Sequence, residues 1–539
     1  MNRLLQDWLT SSAERFPESC AVHAGPRSST FADLEQESNR LAHALKDAGC
    51  VRGDRVAFAL PKGTSAYMTM LGALKAGASY VPLDVQGPAL RLSRVLSATE
   101  PRCLVATPGS FDMCREAARL AGNDEVRFAV LDGRLDDREV VFSSHDLPAF
   151  SGHRPSNPTG PDEPAHLLFT SGSTGVPKGV VVTHRMVTAF VEWAVEYFDM
   201  GHQDRLSAHS PLTFDLSTFD FYAAMAAGAE LHPVPPKHNL LAPKLVEFMA
   251  DRGLTQWFSV PSVLTYIESF DALPADGLPR LKRLMWCGEV LPTSTLRYLM
   301  ERLPHVTFTN LYGPTEAAIA SSYYTVPEIP GSPTASIPIG QPCAGESLHV
   351  LDEDLRPCAV DEVGDLYIGG VGLSPGYWRD AEKTESVFLD GPFLHLDVDR
   401  IYRTGDLASA REDGQIVFHG RADTQIKSRG YRIELGEIEA ALAALDFLRE
   451  SAVVAIQREG FEGSLICCAY VPAPGDDVDV ALISRALLGY LPRYMLPARW
   501  LEADALPRTS NGKVDRPALK DEFLGRENLL ADFDRERQL

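Results

Sequence analysis

The chain has 539 residues, with 51 lysines and arginines against 73 aspartates and glutamates, for a formal net charge of −22. This acidic balance argues against a general nucleic-acid binder, which needs a basic surface, and against docking on anionic membranes. Hydrophobic residues make up 45% of the chain and charged residues 23%, so a large core can form. At roughly 150 residues per domain, the length predicts about three or four folding units, or fewer large ones.

The sequence also argues against secretion and against a structural metal. No run approaches the roughly 20 apolar residues that span a membrane, and the start of the chain lacks the apolar stretch of a signal peptide. The nine cysteines are scattered and none has Cys-x-x-Cys spacing, so no structural zinc site is indicated. We therefore expect reduced thiols and a cytoplasmic location.

Helical and strand-like stretches alternate through the first four hundred residues, a pattern that predicts an α/β protein. The spacing of apolar residues predicts a helix over 33–48, a buried strand over 55–60, a helix over 65–75 and a short strand over 79–83. The segment Ser151 to Pro164 holds four prolines and two glycines, which indicates a surface connection between two subdomains.

A second change of pattern comes near residue 420, where a predicted strand over 414–420 ends in glycine. A short charged stretch over 421–432 follows and leads into a predicted helix over 435–445, and an apolar run predicts a strand over 465–471. We therefore expect an N-terminal core over 1–420, a small α+β domain over 425–523 and a polar, frayed tail over 524–539.

One segment runs from an apolar strand into a loop of glycines, hydroxyl groups and one lysine, and then into another strand. Glycines let the backbone approach a phosphate and direct N–H groups at it, while hydroxyl groups and a lysine add donors and charge. It is not a Walker loop, because a glycine and a strand follow the lysine. A flexible surface loop is the alternative interpretation. The candidate phosphate contacts are Thr170, Ser171, Gly172, Ser173, Thr174 and Lys178.

Three further segments place single reactive side chains on turns. In the run 310–316 a tight turn separates Tyr312 from Glu316, and in the run 402–407 a second turn presents Asp406. A carboxylate on such a turn can accept hydrogen bonds from a ribose diol. Near the end of the chain, the run 510–516 holds Lys513 on a turn, from which it can reach into a cleft.

With these motifs in this order, the chain resembles the adenylate-forming superfamily, and in detail the adenylation domains of nonribosomal peptide synthetases. The resemblance implies a large N-terminal part of two packed α/β subdomains plus a distorted β-barrel, and a small mobile α+β C-terminal domain. It also implies ATP and Mg²⁺ as cofactors and two reactions in one cleft. A carboxylate and ATP would give an acyl adenylate and pyrophosphate, and a thiol would then take the acyl group.

By the same resemblance, the 170–178 loop would hold the β- and γ-phosphates, Glu316 would bind Mg²⁺ and Thr315 would contact the α-phosphate. Tyr312 would stack on adenine and Asp406 would take both ribose hydroxyls. Lys513 would reach between the substrate carboxylate and the α-phosphate, where a desolvated lysine stabilises the charge that develops during in-line attack. The other nucleotide contacts that the resemblance implies are Gly288, Glu289, Asn310 and Arg421.

The resemblance also implies how the small domain moves. Asp423, within the segment 421–424, matches the family hinge, about which the domain would swing between the two half-reactions. Backbone around Gly430 would then line the tunnel for the thiol, since a glycine permits close approach. For Lys427 and Arg432, a functional role and a merely solvated or structural role both remain open.

Asp215 matches the position at which amino-acid-activating members hold the substrate ammonium, and a buried carboxylate is costly unless it is paired. Capping of a helix by Asp215 is the alternative. The remaining pocket positions carry no charge, and their two phenylalanines and one methionine predict a small apolar space. These positions are Leu216, Phe219, Phe258, Met285, Cys287, Leu311, Ile319 and Ala320.

We therefore expect a monomeric, freestanding ligase that activates a small neutral L-amino acid and loads a separate phosphopantetheinylated carrier protein, because the chain contains no carrier segment of its own. Alanine is the first candidate, followed by serine, glycine and cysteine. The alternatives are a proline-specific ligase and an acyl-CoA ligase for a non-amino acid, which Asp215 disfavours. A non-catalytic nucleotide-binding regulator is a third alternative, against which Lys513, Glu316 and Lys178 argue together.

Overall fold

The structure is a computed structural model that describes residues 3–25, 27–85, 87–172, 177–274, 277–393, 396–457, 463–474, 478–509 and 513–537. Two helices and a hairpin come first: α1 (Leu5–Arg15), β1 (Cys20–Ala24), β2 (Arg27–Thr30) and α2 (Phe31–Asp47). Thr30 caps the start of helix α2: its side chain accepts a hydrogen bond from the backbone N–H of Asp33, and the Asp33 carboxylate accepts one from the backbone N–H of Thr30. This capping box fixes the start of the helix.

In the described part of the chain, seven strands form the first α/β unit. Its elements are β3 (Arg55–Ala59), α3 (Thr64–Ala76), β4 (Ser79–Pro82), α4 (Ala89–Thr99), β5 (Cys103–Ala106), α5 (Phe111–Leu120), β6 (Arg127–Val130), β7 (Val140–Ser143), β8 (Pro164–Thr170), β9 (Lys178–Thr183) and α6 (His184–Tyr197). The strand order is β7-β6-β5-β3-β4-β8-β9, and only the pair β8 and β9 is antiparallel. Parallel neighbours buried on both faces explain the continuous apolar runs.

The second α/β unit is a nine-stranded sheet, counted over the described residues, to which β1 and β2 contribute one edge. Its other elements are β10 (Arg205–Ala208), α7 (Leu216–Ala227), β11 (Glu230–Pro233), α8 (Ala242–Arg252), β12 (Gln256–Ser259), α9 (Pro261–Ser269), β13 (Arg283–Cys287), α10 (Thr293–Arg302), β14 (Thr307–Tyr312), β15 (Ser322–Thr325) and β16 (Gln341–Pro342). The order is β16-β15-β14-β13-β12-β10-β11-β1-β2.

The two units share one core. Helix α3 of the first unit and helix α7 of the second have almost entirely buried side chains. The ring of Tyr67 in α3 stacks on that of Phe221 in α7, with centroids 4.6 Å apart. A helix that is apolar all round belongs between two layers, so α3 and α7 hold the two sheets together.

An antiparallel sheet and a small C-terminal unit complete the described chain. The antiparallel sheet consists of β17 (Glu346–Leu351), β18 (Gly364–Gly370), β19 (Phe388–Phe393), β20 (Val398–Ala410) and β21 (Ile416–Arg421), and helix α11 (Ala381–Val387) precedes β19. The C-terminal elements are β22 (Gln425–Ser428), β23 (Tyr431–Glu434), α12 (Leu435–Ala443), β24 (Leu448–Gln457), β25 (Ser464–Pro472), α13 (Val480–Leu487), β26 (Arg499–Glu502) and α14 (Arg516–Arg537). Strands β22 and β23 pair as a hairpin, and β24-β25-β26 form a separate sheet.

The predicted fold class is confirmed, with a large α/β part and a small C-terminal domain. The predicted helix over 33–48 and the predicted strand over 465–471 appear as α2 and β25. Two segments differ from expectation. The charged stretch 421–432 contains the hairpin strand β22 and the start of β23, because Gly430 permits a tight reversal, and α14 continues into the segment expected to be a frayed tail. Within the described residues, no helix is both long and apolar enough to cross a membrane.

The strand ends position the cleft. The parallel strands β12, β13 and β14 end at the same edge of the second sheet, and Val260, Gly288 and Gly313 follow them directly or within one residue. All three residues line one cavity, in keeping with the tendency of ligands to bind at the carboxyl ends of parallel strands.

Candidate functional site

The glycine- and hydroxyl-rich loop joins β8 to β9, and its two ends meet as the strand pair Thr170 and Lys178. The hydroxyl of Thr170 is buried and has no hydrogen-bond partner among the described residues. Lys178 is 12% exposed, and burial lowers the pKa of its ammonium against the opposing effect of Glu434. The predicted contacts Ser173 and Thr174 lie outside the described residues.

Glu316 is the most deeply buried charge of the site. It lies in a short 3-10 turn over Thr315–Ala317, just after β14, and is 0% exposed. The hydroxyl of Tyr377 donates to its carboxylate at 2.8 Å, and Arg432 contacts both of its oxygens at 3.0 and 2.8 Å. Burial opposes ionisation, but the charge of Arg432 outweighs it and brings the pKa of Glu316 below its ordinary value.

Asp215 stands at the start of α7 but does not cap the helix with its side chain. Its carboxylate instead accepts a hydrogen bond from the hydroxyl of Thr315 at 2.7 Å. Burial raises the pKa of Asp215 to about 6, against the lowering effect of the Thr315 hydroxyl. A carboxylate that is desolvated and has neutral donors can accept a cationic partner, and the side chain of Asp215 makes no capping hydrogen bond, so the capping alternative loses its support.

The apolar pocket positions form the floor beneath Asp215. Phe219, Phe258 and Met285 are all 0% exposed, and the rings of Phe219 and Phe258 meet edge to face with centroids 5.3 Å apart. Ile319 adopts a φ of +71°, which is strained for a β-branched residue and indicates that its surroundings fix this turn. The other predicted pocket residues are at most 5% exposed: Leu216, Cys287, Leu311, Ile319 and Ala320.

A small cavity of about 150 Å³ borders this floor, and its lining also includes charged residues such as Asp406, Lys427 and Arg432. Asp215, Leu216 and Cys287 line it, together with Gly288 and Thr315. Of the predicted pocket residues, Leu216 and Cys287 line this cavity, whereas Phe219 and Phe258 do not. The difference from the predicted lining arises because both rings are used to pack α7 on β12.

A second, larger cavity of about 1640 Å³ lies beside the first one, between the large part of the protein and the C-terminal unit. Tyr312 and Asp406 both border it, and the Tyr312 hydroxyl donates to Asp406. Arg421 contacts Asp406 at 2.6 Å and holds Asp423 through two further contacts of 2.7 and 2.6 Å. The predicted ribose and hinge residues therefore form one charged chain at the point where β21 ends.

The remaining predicted nucleotide residues border the larger cavity, whereas the predicted tunnel residue Gly430 lines the smaller one. The side-chain amide of Asn310 donates to the carbonyl of Pro338 at 2.8 Å. Glu289 accepts hydrogen bonds from the backbone N–H of Ser262 at 3.1 Å and of Gly430 at 2.7 Å. Gly430 has a φ of +82°, and a Cβ there would lie 2.8 Å from Val260, so only glycine allows this approach.

Lys513 is not brought to the cleft in this arrangement. It is exposed, its carbonyl accepts a hydrogen bond from the backbone N–H of Thr509, and it lines neither cavity. Lys427 lines both cavities instead, with its ammonium 6.0 Å from the ring centroid of Tyr312. The predicted neighbours Ser510 to Gly512 lie outside the described residues.

Sequence reasoning left one group of site residues unassigned. These are the charged residues of segment 431–437, which we call the docking segment and which comprises β23 and the first turn of α12. Arg432 contacts Glu316, and Glu434 lies 3.5 Å from the ammonium of Lys178. Arg432 and Glu434 lie on one face of β23, but the sequence predicted only a charged stretch there and not a strand, so the pattern of two charges at alternate positions gave no usable signal.

The donors of the cleft suit a magnesium nucleotide. Ser171, Gly172 and Lys178 offer a hydroxyl, a backbone N–H and an ammonium, and the Thr170 hydroxyl is a buried donor without a described partner. Glu316 offers the carboxylate oxygens that Mg²⁺ prefers. The fit requires that the docking segment withdraw, because it now contacts Ser171, Lys178 and Glu316.

Comparison with known proteins gives two family matches and many relatives. The AMP-binding enzyme family model matches residues 9–378, and the model of the AMP-binding enzyme C-terminal domain matches residues 437–513. A dimodular nonribosomal peptide synthase of Bacillus subtilis (strain 168) is 36% identical over 517 residues, which are 96% of this chain but 21% of that protein. The chain therefore spans about a fifth of that relative's length.

Two further proteins are similar over most of their own length. Novobiocin biosynthesis protein H of Streptomyces niveus is 33% identical over 506 residues, which are 94% of this chain and 80% of that protein. The structure of holo-PA1221, a protein with adenylation and PCP domains of nonribosomal peptide synthesis, superimposes with a TM-score of 0.79 at 25% identity. That match covers 96% of this chain and 84% of the solved one.

The environment of Asp215 predicts how its carboxyl group titrates. In the protein without ligands, the midpoint should lie near pH 6, because burial disfavours the charged form. Thr315→Val should raise the midpoint further, since the hydroxyl donates to the carboxylate and stabilises its charge. Carbon-13 NMR of side-chain-labelled aspartate, with Asp215→Asn to assign the signal, measures both. A midpoint near 4 in the unaltered protein would contradict the described burial.

Proposed function

Because the chain belongs to the AMP-binding enzyme family, we propose that it activates a small neutral L-amino acid with ATP. The product is an aminoacyl adenylate, whose acyl group passes to the phosphopantetheine thiol of a carrier protein. The observation that carries the proposal is Asp215, a desolvated carboxylate that has neutral donors and lies beside a floor of uncharged side chains. An ammonium group there would satisfy the carboxylate and orient the substrate carboxyl group towards Thr315.

The first half-reaction needs positive charge around the α-phosphate and the departing pyrophosphate. When bound, Mg²⁺ would supply part of that charge and be held by Glu316. Lys178, Ser171 and Gly172 would hold the phosphates that leave, and Asp406 would accept hydrogen bonds from the ribose hydroxyls. The contribution of this chain is therefore positioning and electrostatic stabilisation, which dominate phosphoryl chemistry.

The packing of the floor supports a small side chain. The rings of Phe219 and Phe258 are fully buried and meet edge to face, so they fill space that an aromatic or long aliphatic group would need. A charged side chain would enter without a partner, because none of the floor residues carries a charge. Alanine fits first, followed by serine, glycine and cysteine, and compact, apolar proline is the alternative.

A thiol acceptor is supported by the approach of Gly430 to the cleft and by similarity to holo-PA1221, which contains a PCP domain. Asp215 also bears on the alternative function, an acyl-CoA ligase for a carboxylic acid without an amine. Such a substrate would leave the buried carboxylate unpaired, at a cost of several kcal/mol. The amino-acid substrate is therefore favoured on this one residue.

Amino-acid-dependent ATP–pyrophosphate exchange tests the proposal. The unaltered protein should exchange with alanine and, more weakly, with serine, glycine, cysteine or proline, and it should be inactive with fatty and aryl acids. Asp215→Asn should raise the amino-acid KM strongly and leave ATP binding nearly unchanged, because it removes a charge that acts on one substrate only. Exchange with fatty acids alone would contradict the amino-acid assignment.

Replacing the floor should change the size preference. Phe258→Ala and Phe219→Ala should each open space in the floor and move exchange activity towards leucine or phenylalanine. The preference for alanine over these larger amino acids, expressed as a difference in activation free energy, should fall by about 1–3 kcal/mol. Leu264→Ala, at a buried position in a different core cluster, is the matched control for a loss of core packing. Strong activity of the unaltered protein with phenylalanine or a charged amino acid would overturn the size argument.

Lys513 should separate the two half-reactions. We expect Lys513→Ala to lose adenylation by orders of magnitude, because the ammonium would act mainly on the transition state. It should still transfer a chemically supplied aminoacyl adenylate to the carrier protein, since Lys513 lies outside the cleft when Gly430 approaches it. Formation of the carrier thioester, followed by intact mass, measures the second step. Equal loss of both steps would contradict two separate arrangements.

A further inference from the structure

The docking segment contacts the groups that the proposed function assigns to phosphate and metal. The hydroxyl of Ser171 donates to the carbonyl of Arg432 at 2.7 Å. The ammonium of Lys178 lies 3.5 Å from Glu434, and the backbone N–H of Gly172 is near enough to Glu437 to lower the pKa of that carboxyl group against the effect of burial. Three anion donors of the loop region thus already face oxygen atoms of the C-terminal unit.

The metal carboxylate has a cationic partner from the same segment. Arg432 holds Glu316 through two oxygens; the side chain of Glu316 is fully buried and that of Arg432 is 19% exposed. Arg432 has a pKa well above its ordinary value, because the charge of Glu316 outweighs the effect of burial. A buried charge is stable only with a partner, so these contacts cannot be treated as incidental surface pairs.

The charged residues of the docking segment are placed by the strand and helix that carry them. Arg432 and Glu434 are two residues apart on β23 and therefore point to the same face of the strand. Glu437 follows in the first turn of α12, is 1% exposed and is also held by Arg91. One short segment thus presents a positive group followed by two carboxylates to Glu316, Lys178 and the 170–178 loop.

We propose that the docking segment is a built-in mimic of magnesium pyrophosphate. The guanidinium of Arg432 takes the place of the cation on Glu316, and the carboxylates of Glu434 and Glu437 take the places of phosphate oxygens at Lys178 and Gly172. This inference rests on the proposed function, since it assigns the pyrophosphate subsite. It has a specific consequence: docking of the segment and binding of magnesium pyrophosphate exclude each other, and each favours release of the other.

Calorimetric titration of the full chain with magnesium pyrophosphate, without amino acid or carrier protein, tests the competition. Arg432→Gln and Glu434→Gln should both bind the ligand more tightly than the unaltered protein. The apparent affinity falls in proportion to the fraction of protein that is competent to bind, so a segment docked about 90% of the time costs about tenfold. Either variant alone tests the claim if the other does not fold.

The matched control is Glu439→Gln, which removes a carboxylate from the same helix. Glu439 pairs with Arg516 at 2.8 Å within the C-terminal unit and does not touch the phosphate site. The Glu439→Gln protein should therefore bind magnesium pyrophosphate with the same affinity as the unaltered protein. Equal affinities of Arg432→Gln, Glu434→Gln and the unaltered protein would overturn the mimicry and leave the proposed function standing. Weaker binding by these variants would show that the segment is part of the pyrophosphate site and would also overturn it. Absence of binding in every protein would contradict the subsite itself, and with it the proposed function.

Discussion

A buried carboxylate that must always have a cation organises this cleft. Glu316 is withdrawn from solvent at the end of a parallel strand, where an unpaired charge would be strongly unfavourable. In the described arrangement Arg432 meets this need from the C-terminal unit. A metal ion would meet it when a nucleotide is bound, and the two cations cannot be present at once. The position of the C-terminal unit is therefore coupled to what the phosphate site contains.

The same constraint explains why the cleft has two cavities of different character. The floor beside Asp215 is formed by side chains that belong to the core of the large part, whereas the small cavity next to it is also lined by C-terminal residues such as Tyr431 and Arg432. The larger one is bordered on one side by Tyr312 and Asp406 and on the other by C-terminal residues such as Lys427. Selection of the substrate thus rests on rigid packing, whereas the groups around the phosphates change with the arrangement of the two parts.

Much of the fold could be predicted from the sequence, because the spacing of apolar residues and the positions of glycines determine helices, strands and turns from neighbouring residues alone. The α/β alternation, helix α2 and strand β25 followed from side-chain patterns alone. The loop between β8 and β9, Glu316, Asp215 and Asp406 stood out because their residue types suit phosphate, metal, ammonium and ribose. These residues do gather around one cleft, although their roles stay predictions until they are tested.

What sequence reasoning missed depends on contacts between distant segments. The pairing of Arg432 with Glu316 joins residues that are 116 positions apart, and no local pattern signals it. Nor could spacing tell that Phe219 and Phe258 do not line the small cavity, because that depends on how α7 packs on β12. The position of Lys513 away from the cleft is likewise a property of the arrangement of the two parts and not of the motif that contains it.

The central claim is that phosphate ligands and the C-terminal unit compete for one site, and a distance measurement tests it most directly. Spin labels introduced at Val51 and Leu482, which are 62% and 40% exposed, report the separation of the two parts by pulsed electron paramagnetic resonance. The account predicts that saturating magnesium pyrophosphate shifts the distance distribution of the ligand-free protein, and that AMP alone does not. Identical distributions with and without bound magnesium pyrophosphate would contradict it.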